Sequence, residues 1–252
     1  MKKYDFTSET RLYEGRTLHR IVALKDFSDV KKGDLGGWVQ YKKNLSQHGK
    51  CWVYDDSIVC DNAKVYSNAK VFRNSCIEFE SSVFGNAKVE NSHMVSFSFV
   101  SDNAHVCESV ITDCAQVFGN ASVDLSRVGY RAKVHGKALI ANHASIEDFA
   151  DISDNAEISN SARIGGGVKV YGFARISGDV LIRGRSEIKS YKDFFVFTTP
   201  WRESVRNVVY TKSDGLYHGD IATQRESDFI DSESGYGVKI EDLIAFIKSV
   251  CN

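Results

Sequence analysis

The sequence has almost no net charge: 32 Lys and Arg against 33 Asp and Glu leave −1 over 252 residues. That excludes a strongly basic nucleic-acid binder and an acidic DNA mimic as designs for the whole molecule. No apolar run approaches the ~18 residues that a membrane span needs. Residues 1–10 hold two lysines but no apolar segment of the signal-peptide kind. A soluble, cytoplasmic protein that does not enter membranes is the expectation. Cysteine is sparse, and the six present, at 51, 60, 76, 107, 114 and 251, never fall in CxxC or zinc-type spacing. Reduced thiols and no metal site are therefore expected. Signatures of the GxSxG, HExxH and Walker types are missing too. Proline occurs once, as Pro200, which the sequence places in a loop near the C-terminal end.

What is present in abundance is one motif. From Cys51-Trp52-Val53 to Ser186-Glu187-Ile188, 24 triplets fit [Ala/Ser/Cys/Val]-x-[Val/Ile/Met]. Residues two apart share one side of a strand, so the small and the aliphatic residue face inward and the middle residue faces out. A six-residue period carrying a two-residue strand pattern predicts a hexapeptide solenoid. The step is six everywhere except Val89 to Met94, Val106 to Ile111 and Val123 to Val128, where it is five. Those short steps lie 17 residues apart, which fits one corner of a three-sided coil trimmed in three successive turns. Three faces then make eight coils, a prism on the order of 38 Å long at one strand spacing per coil. Pentapeptide-repeat solenoids lose on both period and core residue.

The corners carry Asp61-Asn62, Ser67-Asn68, Gly85-Asn86, Asp102-Asn103, Gly119-Asn120 and Asp154-Asn155, residue types that tolerate the left-handed backbone conformation of a tight turn. Residues 1–50 do not repeat and are expected to cap the open end: residues 20–24 as a strand, then a turn through Gly33, Gly36 and Gly37 feeding a second strand. A cap is required because an open solenoid end exposes unpaired backbone and apolar core. Residues 191–252 are expected to form a small α+β module. It comprises strands over 194–198, 207–211 and 216–223 and a helix over 238–250 with Ile240, Leu243, Ile244, Ile247 and Val250 on one side.

The run Arg20-Ile21-x-Ala23-Leu24-x-Asp26-Phe27, then Val30-Lys31-x-Gly33-Asp34-Leu35-Gly36-Gly37-Trp38-Val39, then Asn44-Leu45-Ser46-Gln47-x-Gly49-x-Cys51-Trp52-Val53-Tyr54, resembles the opening of YdcK-like hexapeptide-repeat proteins. The likeness covers roughly residues 15–190. Such proteins are common in bacterial, prophage and phage genomes and are often named as transferases without an assigned activity. The resemblance implies an all-β solenoid, a three-sided left-handed parallel β-helix. Its hand comes from the resemblance alone, since the general rule for parallel crossovers favours the other.

Function is less legible. A solenoid of this kind suggests CoA-dependent acyl transfer with a histidine as general base, for which acetyl-CoA or another acyl-CoA would be the cofactor. His93 and His105, outward middle residues, are the candidates; His135 and His143 lie near corners. None sits in a catalytic motif, and no inserted loop interrupts the coils to build a site around one. The surface columns say more. Tyr66, Phe84, Phe118 and Tyr171 recur at one corner, and Ile58, Val95, Phe99 and Val110 add apolar character on or beside the second face. Contiguous apolar surface of this kind marks an interface, here expected between copies of the chain in a trimer or dimer. A ladder of aromatics stacking on one another, or burial under the terminal module, would explain it equally simply. Outward lysines and arginines interleave with Asp151, Glu157 and Glu187, which argues against a nucleic-acid track. The expectation is a non-catalytic scaffold or binding protein with no cofactor. Alternatives are an acyltransferase and, from the phage occurrence of similar proteins, an antagonist of a host defence complex that binds a host protein.

Overall fold

The computed structural model describes residues 2–201, 204–212 and 215–218, together with 245 and 249. Twenty-four two- and three-residue strands run from Trp52–Val53 to Glu187–Ile188 and stack into three parallel ladders. Face 1 starts at Trp52–Val53, face 2 at Ile58–Val59 and face 3 at Lys64–Val65. Each contributes eight such strands, one per coil, so the prism has eight coils. It is a left-handed parallel β-helix.

Register follows the sequence pattern: Val71, Val89 and Val106 stack on face 1, Ile77, Met94 and Ile111 on face 2, and Val83, Val100 and Val117 on face 3. These inward side chains and the Ala column beside them are fully buried. Each buried aliphatic contributes roughly 1.5–3 kcal/mol. Ordering each residue costs about 1–2 kcal/mol, so a single coil is unstable and stacking is what makes the fold.

The corners hold the expected left-handed residues, for example Asp61 (φ 56°), Gly85 (φ 69°) and Asp102 (φ 56°). Trimming changes the backbone relative to the neighbouring coils. The six-residue steps from face 1 to face 2 on either side of the trimmed coils contain two consecutive positive-φ residues, Arg73-Asn74, Asn142-His143 and Asn160-Ser161. Each five-residue step contains one, Asn91, Glu108 or Leu125; the first and last six-residue steps also contain one, Asp55 and Gly178. Along the corner from face 3 to face 1, side-chain amides of Asn68, Asn86, Asn103 and Asn120 hydrogen-bond in series at 3.0–3.1 Å.

At the N-terminal end, β1 (Tyr4–Tyr13) and β2 (Arg16–Ala23) form an antiparallel hairpin, and β3 (Leu35–Val39) pairs with β2 on one side and with Ile58–Val59 on the other. Face 2 thereby grows to eleven strands. The parallel register begins before the counted repeats: Trp38 and Val39 stack on Ile58 and Val59, and Leu45 bridges Val65. Part of the cap is thus an incomplete coil. Gly36 and Gly37 are needed for packing, since a Cβ on them would lie 2.6 Å from Trp52 and 2.5 Å from the Ser57 carbonyl. Lys3 plugs the end. It is fully buried, its Nζ donating to the Cys51 carbonyl at 2.8 Å, and burial lowers its pKa.

At the other end, β4 (Phe194–Trp201), β5 (Ser204–Thr211) and β6 (Gly215–His218) form an antiparallel meander. Val209 reaches the main core and Thr211 bonds Ser186 at 2.7 Å, so the meander closes the last coil. Pro200 is not in a loop: it pairs with Val205 inside β4, an edge strand where a missing N–H donor is tolerated. The expected helix over 238–250 lies outside the described residues except for Ala245 and Ser249, both helical.

Candidate functional site

Coil stacking brings together residues about 17 apart in sequence, and the histidines show this best. His93 stands outward on face 2, in register on Cys76 one coil back. Glu78 begins the turn from face 2 to face 3 and is 4% exposed. Its Oε2 lies 2.9 Å from His93 Nε2, while its Oε1 lies 3.9 Å from Arg16 Nη1 and accepts from Cys60 Sγ at 3.6 Å. Arg16, from the hairpin, spends its fork on Asp61, at 2.8 and 3.0 Å, and lies over the Phe79 ring at 5.8 Å. Tyr13 adds its hydroxyl 3.5 Å from Cys76 Sγ. Burial, with the Glu78 carboxylate nearby, pushes the Cys76 thiol up to about 12 and Cys60 higher still. Both are neutral thiols at physiological pH. The donor atoms of Cys76, Glu78 and His93 all lie within 4.8 Å of one another, a set of metal-ligand type that linear spacing did not suggest.

The second cluster lies at the trimmed corner. His105 Nε2 is 2.9 Å from Glu90 Oε1, and Glu90 Oε2 meets Arg73 Nη1 at 3.2 Å. Cys107 lies beside Glu90, and burial together with that carboxylate pushes its thiol up to about 12. Asp55, Arg73, Asn74, Asn91, Cys107 and Glu108 line an open cavity of about 440 Å³ there. A smaller one of about 240 Å³, lined by Asp29, Tyr54, Asp55, Lys70, Phe72 and Lys88, adjoins it at Asp55. A carboxylate on one ring nitrogen fixes a histidine's orientation, which is what a general base requires. Among the described residues nothing shields His93, whose side chain is 46% exposed, or His105, at 42%, from water.

The expected interface residues divide. Tyr66 stacks on Phe84 at 4.9 Å and 3° and Phe84 touches Phe99 at 6.0 Å, so these form an aromatic ladder. Phe118 stacks on His135 at 4.7 Å, whose Nε2 in turn meets Asp151 at 2.9 Å. Val95, Tyr171 and Val110 stay at the surface, the first two half-buried. Ile58 does not: it points outward from face 2 as expected, but the hairpin covers it, and it is buried with Leu18 and Cys60 under Tyr13 and Trp38. Sequence columns missed a row of exposed aromatics. Phe79, Phe97, Tyr130 and Phe149 follow the corner from face 2 to face 3 at 48%, 65%, 52% and 64% exposure.

No protein-family model matches the sequence. A stretch of 67 residues is 34% identical to the Escherichia coli (strain K12) protein named uncharacterized acetyltransferase YdcK, covering 23% of this chain and only 21% of that protein's length. In three dimensions the chain is similar to the UDP-N-acetylglucosamine acyltransferase of Francisella novicida, with a TM-score of 0.56 over 84% of this chain and 88% of that one, at 13% identity. The fold is the hexapeptide-repeat left-handed β-helix. At that identity the likeness speaks to the fold and not to the chemistry. Among the described residues no helix is long and apolar enough to cross a membrane.

Proposed function

We propose that this β-helix is a self-associating scaffold that works through protein contacts and catalyses no reaction. The observation that carries this reading is the unbroken coil. Between Val53 and Ile188 the inward aliphatics follow at six or five residues without an insertion, so no loop inserted among these coils walls off a histidine, and an acyl transfer site needs water excluded. The exposed aromatics of the corner from face 2 to face 3 supply the contact surface, and a second copy of the chain is the occupant proposed for it. Calorimetric titration of the purified chain with acetyl-CoA is the deciding experiment. Lack of saturable heat supports the scaffold; saturable binding that weakens in His93→Ala or His105→Ala overturns it.

One observation favours a second reading, a CoA-dependent acyltransferase. The His105–Glu90 pair is an oriented base beside the 440 Å³ cavity, in a fold like that of an acyltransferase. The same titration separates the two.

A further inference from the structure

We infer that Cys76, Glu78 and His93 form a site for one zinc-like divalent transition metal ion at the outer surface of face 2. Three different donors converge there, a thiol sulfur, a carboxylate oxygen and an imidazole nitrogen, all within 4.8 Å of one another. Metal bonds of about 2.0–2.3 Å in a tetrahedral arrangement put donors roughly 3.4–3.7 Å apart, so only small side-chain rotations are needed. The backbone sets the frame. Cys76 and His93 are register partners in adjacent coils, and Glu78 follows Cys76 by two residues. Sulfur and imidazole nitrogen select zinc, cobalt and their neighbours over magnesium and calcium, which prefer oxygen alone.

The surroundings fit. Glu78 is buried, yet its nearest guanidinium, Arg16, is 3.9 Å from Oε1 and is bound mainly to Asp61. Oε2 therefore faces His93 Nε2 across a single shared proton position at 2.9 Å. The ion takes that position: the imidazole proton passes to Nδ1, the Cys76 thiol gives its proton to solvent, and Sγ, Oε2 and Nε2 bind the metal. Water fills the fourth place. Tyr13, 3.5 Å from Cys76 Sγ, holds the sulfur from the hairpin side.

The test uses the full chain without an affinity tag, stripped by chelator, desalted and titrated with Co²⁺. One equivalent should bind and give a near-ultraviolet thiolate-to-cobalt charge-transfer band that one equivalent of Zn²⁺ abolishes. Cys76→Ser should remove the band, and His93→Ala, at a side chain 46% exposed, should weaken Co²⁺ binding by ~10-fold or more. Cys114→Ser should leave both unchanged. No band in the wild-type chain, a band that survives Cys76→Ser, or wild-type affinity in His93→Ala would each overturn the assignment.

Discussion

Ser109 Oγ accepts a hydrogen bond from the Ser126 amide at 3.0 Å and donates to the Cys107 carbonyl at 2.6 Å. The same relation links Ser92 to Ser109 at 3.0 Å and Ser75 to Ser92 at 3.3 Å. Serine thus occupies the small inward position where the corner is trimmed. The hydroxyl one coil back supplies the acceptor for the amide after the turn, and it does so after the preceding six-residue step as well, where the Ser75 amide donates to Ser57 Oγ at 3.2 Å. Beyond Ser126 the corner returns to full length and the column changes to Ala144 and Ala162.

Ser109→Ala should therefore cost more than removal of a hydroxyl usually does, because it strands a buried amide. A loss of about 1–3 kcal/mol is expected, lowering the melting temperature by roughly 2–4 °C per kcal/mol. Ser122→Ala, half-buried and outward on face 1, should stay within about 0.5 kcal/mol. Equal urea midpoints for the two variants would remove the serine ladder as an explanation.

The coils were legible because inward and outward residues alternate strictly and the aliphatic step counts the corners. The trimmed corner fell out of arithmetic alone. Other features were hidden for physical reasons. In β1 the stretch towards the hairpin tip is exposed on both sides, so no alternation marks it as a strand, and nothing local says that it will cover Ile58. Cys76 and His93 meet only through coil stacking. Phe79 and Tyr130 occupy the left-handed residue of their corner, with φ of 56° and 57°, whereas Phe97 and Phe149 occupy the next position. A column read one position at a time divides that ridge in two.

Adjacent residues test the inward–outward assignment most sharply. Ile140 is fully buried and Leu139, its neighbour in the same strand, is 37% exposed. Ile140→Ala should destabilise by about 2–5 kcal/mol through lost burial and a cavity. Leu139→Ala should change stability by about 0.5 kcal/mol or less. Denaturant unfolding of both variants checks this, and similar losses would contradict the assigned faces.

Asp29 gives the pH prediction. Against the burial that would raise its pKa, hydrogen bonds from Lys70 at 2.7 and 2.8 Å and from Tyr54 at 2.9 Å hold the carboxyl down to about 2, from an ordinary 3.8. A depressed carboxyl stabilises the fold above its unfolded pKa, and that contribution is lost as pH falls through the folded value. The gap in melting temperature between the wild type and Asp29→Asn should be constant above about pH 5 and close between about pH 4 and 2. A gap that persists at pH 2 would show that the contact depends on shape and not on charge.

The exposed ridge from face 2 to face 3 decides whether the chain associates with itself. Phe97 and Phe149 are the most exposed of its aromatics, at 65% and 64%, and Arg131 lies 6.0 Å from the Phe149 ring centre. Neither ring reaches the core, so replacing both by serine should leave the melting temperature of a single chain within about 1 °C, as for surface substitutions away from packed features. Burial of such rings against a second copy is worth far more, since aromatic and arginine side chains dominate contact energies. In sedimentation velocity the wild type should run as an oligomer and Phe97→Ser/Phe149→Ser as a monomer. A monomeric wild type would end the proposal of self-association; an oligomeric double variant would move the contact to another face.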